Sequence, residues 1–214
     1  MRRSEWSVSP SAAWSLQEGI VEIDCTGLGP VGNQPATGAP PPRGERTLWL
    51  IQNKYTQPAR LGISGGSNGG LLMGAMMTQR PDLFGAIVCG APLLDMLRFH
   101  KMSVGAWWTA EYGSVDDPNQ FTYLYKYSPY HNVKKGTRFP AILFMSGDFD
   151  TRVDPSHARK MTALVQAANS SGNPILLRYD TKGGHSGIAN VSKTVEEDVD
   201  RMSFLAARLG MKSE

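Results

Sequence analysis

Short apolar runs alternate with longer segments of helical character along most of the chain. The runs at 19–24, 60–64, 85–90, 140–146 and 174–179 are bounded by glycine, proline or charged residues and are predicted to be strands. Segments at 8–18, 45–54, 68–79, 155–169 and 193–209 are predicted to be helices; the third is stopped by Pro81. That alternation predicts an α/β fold, a mostly parallel sheet of about five strands flanked by helices, with 1–214 forming one domain. Functional groups in such sheets gather on loops at the carboxyl ends of the strands, which directs attention to the loops after 64, 146 and 179. Segment 26–44 breaks the alternation: it is so rich in glycine and proline that an irregular loop is expected.

Composition narrows the picture only a little. With 214 residues, 41% of them hydrophobic, the chain can bury a sizeable core. Its 22 basic and 19 acidic residues are scattered, and a net charge of +3 without any basic block gives no reason to expect nucleic acid as a partner. No stretch approaches the roughly 18 apolar residues of a membrane span. Polar residues follow Met1-Arg2-Arg3 where a signal peptide would need an apolar core, so a soluble, cytoplasmic protein with no membrane partner is expected. Cys25 and Cys89 lack Cys-x-x-Cys spacing and read as buried free thiols; no metal or other cofactor is implied.

The chemistry is carried by Gly65-Gly66-Ser67-Asn68-Gly69, which fits the Gly-x-Ser-x-Gly nucleophile elbow. A strand must there turn sharply into a helix with the serine at the apex, and side chains larger than hydrogen on either flank would collide. Ser67 is thus the expected nucleophile. After the run 140–146 come Asp148, Asp150 and Asp154; Asp150 is the expected acid, Asp148 the runner-up, and Asp154, next to Pro155, a helix cap. After 174–179 comes His185 among glycines, the expected general base. His100, His131 and His157 have no comparable setting. The order Ser67, Asp150, His185 is that of α/β-hydrolases.

Residues 5–24 and 52–210 resemble the catalytic domain of the prolyl oligopeptidase family of serine peptidases. The motifs that carry the likeness are Gly65-Gly66-Ser67-Asn68-Gly69-Gly70, Arg80-Pro81-Asp82-Leu83-Phe84, Trp108-Thr109-Ala110-Glu111-Tyr112-Gly113, Tyr127-Ser128-Pro129, Asp150-Thr151-Arg152-Val153 and Lys182-Gly183-Gly184-His185. The resemblance implies a Ser67, Asp150, His185 triad, with the Asn68 backbone amide as half of the oxyanion hole. It further implies that Arg152 holds a substrate carbonyl and that Trp108 stacks on a proline ring; without it, an ion-pair partner and a core aromatic are the plainer readings. The family's amino-terminal β-propeller, the first strands of its hydrolase domain and the tyrosine that supplies a second oxyanion donor have no counterpart in these residues. Segment 26–44 looks like the scar of a deletion or frame change in what reads as a truncated α/β-hydrolase.

Esters leave more readily than amides and tolerate an incomplete oxyanion hole, so the expected function is a carboxylesterase acting on small acyl esters. A proline-specific oligopeptidase on short peptides is the alternative, and an inactive remnant serving as an interaction domain the alternative of another class. In the complete fold a strand lies between 19–24 and 60–64. Its loss leaves two outcomes: 19–24 slides over to pair with 60–64, or the exposed sheet edge at 60–64 recruits another copy into a homo-oligomer.

Overall fold

In the computed structural model, residues 19–24, 43–185 and 191–211 are described. The expected helix at 8–18, residues 26–42 of the glycine- and proline-rich segment, and Cys25 lie outside them. The described elements are β1 (Val21–Asp24), α1 (Arg43–Gln52), β2 (Leu61–Gly66), α2 (Asn68–Gln79), β3 (Ala86–Gly90), α3 (Thr109–Tyr112), α4 (Pro118–Tyr127), β4 (Ala141–Gly147), α5 (Ser156–Ala168), β5 (Ile175–Asp180) and α6 (Val191–Leu209). All five strands run parallel in the order β1-β2-β3-β4-β5. The expected loop at 26–44 is corrected at its end: Arg43 and Gly44 already belong to α1.

Period-two alternation along the strands sorts side chains onto two faces. Leu61, Ile63, Ile87, Cys89, Ile142, Phe144 and Ile175 pack under α2 and α5, where Leu72, Met73, Met77, Met161 and Val165 close one core. Ala86, Val88, Ala141 and Leu143 face the other way and meet Phe204, Leu205 and Leu209 of α6. Burial on both faces is why β2, β3 and β4 read as apolar runs.

The sheet edge resolves in favour of the slid strand. β1 pairs directly with β2 from Val21↔Leu61 to Asp24↔Ser64, so the edge proposed as an oligomer contact is occupied within the chain. Unpaired strand amides beside a core cost too much to leave open, and the nearest extended segment fills them. Glu22, although buried, is satisfied: it accepts hydrogen bonds from Ser64 Oγ at 2.7 Å and from Arg201 Nη1 at 2.7 Å.

Two features beyond β3 escape the hydrophobic pattern. Asp117 caps α4 by accepting from the Asn119 and Gln120 amides, with Pro118 in the first turn, an N-terminal signal present in the sequence. His157, on α5, is 1% exposed, and its Nδ1 accepts the backbone N–H groups of Leu94 at 3.2 Å and Asp95 at 3.1 Å. Burial, with the Lys160 charge adding to it, pushes its pKa down to about 4. A protonated ring would aim a donor at two donors.

The unfolded chain therefore binds this proton at a higher pH than the native chain does. His157 contributes its full stability above about pH 6.5 and loses it as pH falls towards 4, a term of roughly 3 kcal/mol. Urea denaturation between pH 7 and 4 is expected to show a shallower stability loss in His157→Gln than in the parent; equal slopes would refute the assignment.

Candidate active site

β2, β4 and β5 end at the same edge of the sheet, β2 separated from β4 by β3, and each releases one of the three expected residues. At the end of β2 the chain turns at Ser67, whose φ of 57° and ψ of −117° fall where a side chain is strained. The turn is fixed by a hydrogen bond from the Ser67 amide to the Gly90 carbonyl at 2.9 Å and by the start of α2 at Asn68. A Cβ on Gly65 would sit 2.7 Å from the Gly69 carbonyl oxygen, and one on Gly70 would sit 2.8 Å from that of Gly90. Both positions therefore exclude any larger residue.

Beyond β4, Asp150 folds back under its own loop. Its Oδ1 accepts the amides of Arg152 at 2.9 Å and Val153 at 2.8 Å, and its Oδ2 lies 2.9 Å from His185 Nδ1. The carboxylate is fully buried and has a fixed direction. On the far side of the ring, His185 Nε2 is 3.1 Å from Ser67 Oγ. The structure thus brings Ser67, His185 and Asp150 into one hydrogen-bonded chain. With Asp150 as acceptor, Nδ1 carries the proton and Nε2 is left to accept one from the serine.

The other carboxylates of the same loop go elsewhere. Asp148 is exposed and accepts a hydrogen bond from the Tyr179 hydroxyl. Asp154 Oδ1 accepts the Ser156 amide at 2.9 Å and so caps the start of α5. The loops that carry Asp150 and His185 are joined by backbone hydrogen bonds from Asp148 to the Asp180 carbonyl at 2.8 Å and from Phe149 to the Gly183 carbonyl at 2.9 Å. They approach so closely at Gly147 that a Cβ there would lie 2.3 Å from the Gly183 oxygen.

Asn68 opens α2, so its backbone amide follows the serine at a helix N-terminus, a position that favours negative charge. Its side-chain oxygen accepts the Tyr112 hydroxyl at 2.9 Å. Burial pushes the Tyr112 phenol up, the Glu111 charge adds to this, and the positive charge of Arg152 opposes it. Arg152 is exposed and forms no ion pair with another described residue. Trp108 is half-buried in a cluster that also holds Leu71, one turn beyond the serine, and Val153, the neighbour of Arg152. Among the described residues no group of three or more His, Cys, Asp or Glu is placed to hold a metal ion. No described helix is long and apolar enough to cross a membrane.

A parallel sheet with a strained serine at its strand-to-helix turn, and a histidine and a buried aspartate on the loops beside it, defines a hydrolase domain of the α/β type. Residues 45–212 match the profile of the prolyl oligopeptidase family. The chain is 43% identical over 166 residues to a prolyl endopeptidase of Elizabethkingia meningoseptica, covering 77% of this chain and 24% of that protein. It is 51% identical over 144 residues to an uncharacterized peptidase of Sinorhizobium fredii, covering 67% and 19%. A solved structure from a study of two prolyl endopeptidases superposes with a TM-score of 0.77 at 49% identity, over 79% of this chain and 25% of that one. The chain belongs to the prolyl oligopeptidase family. It spans about a quarter of the length of the relatives it matches.

Proposed function

We propose that this domain catalyses acyl transfer to water, with peptides cut after proline as its substrates. The observation that carries the catalytic reading is the continuous chain Ser67 Oγ, His185 Nε2, His185 Nδ1, Asp150 Oδ2, with links of 3.1 and 2.9 Å. Ser67 attacks the substrate carbonyl while His185 takes its proton, and the Asn68 amide receives charge developing on the oxygen. His185 then returns the proton to the leaving amine. Water enters by the reverse sequence and frees the acid. Asp150 holds the ring in the required tautomer and stabilises the imidazolium. That intact arrangement argues against a catalytically dead remnant.

The preference for small esters expected from the sequence gives way to peptides, because the relatives carry peptidase names and Trp108 and Arg152 lie beside the serine's helix and the aspartate's loop. Esters remain useful probes, since the same residues turn them over. A proline ring stacked on Trp108 contributes binding that a short acetyl ester does not use. Trp108→Ala is therefore expected to lower kcat/KM for a proline-containing chromogenic peptide roughly 10- to 100-fold, while p-nitrophenyl acetate hydrolysis changes about twofold at most. Equal losses on both substrates would make Trp108 a packing residue.

A further inference from the structure

Asp180 closes β5 five residues before His185, and Lys193 stands in the first turn of α6 eight residues after it. We propose that the ion pair between them is a clamp that positions His185. The inference rests on the reading of His185 as the general base. Lys193 Nζ lies 2.5 Å from Asp180 Oδ2, and both side chains are largely shielded, 26% and 12% exposed. The other carboxylate oxygen accepts the Lys182 amide at 2.8 Å, and the Asp180 carbonyl accepts the Asp148 and Gly183 amides. One residue thereby fastens the turn leading into His185, the loop leading into Asp150, and the helix beyond.

The carboxylate is pressed against the chain it holds. A Cβ on Gly183, two residues before His185, would lie 2.6 Å from Asp180 Oδ2, so this glycine is what lets the turn fold over the acid. The Oδ2 atom is shut off from solvent and faces the lysine. The Lys193 ammonium beside it holds the Asp180 carboxyl below the usual carboxylate range. Without the ammonium, a shielded negative charge loses its nearest counter-charge and the turn must open to hydrate it.

A merely structural role, joining β5 to α6, is already served elsewhere. Arg178 reaches from the same strand to Asp200 at 2.6 Å and to Glu197 at 3.3 Å on α6. Those pairs lie farther along the helix from the turn. The Asp180–Lys193 pair brackets the histidine more tightly, from five residues before it to eight after, and its carboxylate lies against the turn itself.

Lys193→Met and Asp180→Asn are each expected to lower kcat for p-nitrophenyl acetate about tenfold, with KM within about twofold and unfolding still cooperative. The rate of fluorophosphonate labelling falls by the same factor. The double variant loses no more than either single one, Lys193→Arg retains most activity, and Asp200→Asn, which cuts the Arg178 pair to α6 but keeps the arginine's charge beside Asp180, leaves kcat unchanged. The downfield proton resonance of the His185 Nδ1–H to Asp150 bond is expected in the parent and broadened in Lys193→Met. Unchanged kcat and resonance in Lys193→Met, additive losses in the double variant, or an equal loss in Asp200→Asn would each overturn the clamp. The resonance is read with or without turnover: if it responds as stated while the parent neither hydrolyses the ester nor takes the label, the catalytic reading fails and the clamp stands.

Discussion

Ser67→Ala is expected to abolish hydrolysis of ester and peptide alike, a loss of about 10⁴-fold or more in kcat. Only Oγ is removed, the atom 3.1 Å from His185 Nε2, so KM and the thermal transition should stay close to the parent's. The backbone at this position is held by the Gly90 carbonyl and by α2, neither of which involves the hydroxyl. The chemical and structural consequences are thus separable in one variant. Stopped-time assays with purified protein measure it, and residual turnover within tenfold of the parent would contradict the assignment of Ser67 as nucleophile.

The second large effect concerns the acid. Asp150→Asn is expected to lower kcat about 10⁴-fold with little loss of stability. An asparagine oxygen can still accept the Arg152 and Val153 amides that shape the loop. Its NH₂ group, however, would face His185 Nδ1 and favour the tautomer whose Nε2 already carries a proton. That nitrogen could not accept one from Ser67. Asp148→Asn, on the same loop but bonded to Tyr179 instead, should change kcat by no more than roughly threefold. Similar losses in the two variants would remove the distinction between these carboxylates.

The elbow turn and the convergence of Ser67, Asp150 and His185 were legible because each position requires residue types that few other settings demand. Ser67 stands between glycines that the turn needs, and α2 runs over the span its apolar pattern predicts, Asn68–Gln79. The central strands β2, β3 and β4 were legible because burial on both faces leaves an apolar run; strand boundaries shift by a residue or two where pairing, rather than pattern, sets the end. Pairing was also what decided the place of β1. Nothing in Val21–Asp24 names its neighbour, and the outcome follows from which unpaired edge lies within reach.

What stayed hidden depends on contacts between distant segments. The burial of His157 is set by the amides of Leu94 and Asp95, more than sixty residues earlier, which no local pattern reveals. Asp180 reads as an ordinary strand-end carboxylate until Lys193 is brought against it. Arg152 and Trp108 needed the family resemblance, because an exposed arginine and a half-buried tryptophan are unremarkable on composition alone. By contrast, α4 could have been found from Asp117-Pro118 before an aromatic-rich segment. The expected preference for esters rests on leaving-group chemistry, whereas the relatives carry peptidase names.

The central claim is that His185, oriented by Asp150, activates Ser67 in the folded domain. Mass mapping of the native protein after a short exposure to a fluorophosphonate tests it most directly. The account predicts one adduct, on the peptide containing Ser67, formed rapidly in the parent, slowed by several orders of magnitude in His185→Ala, and absent in Ser67→Ala or after unfolding in urea. A native protein that takes no label, or one labelled equally well in Ser67→Ala, would contradict it.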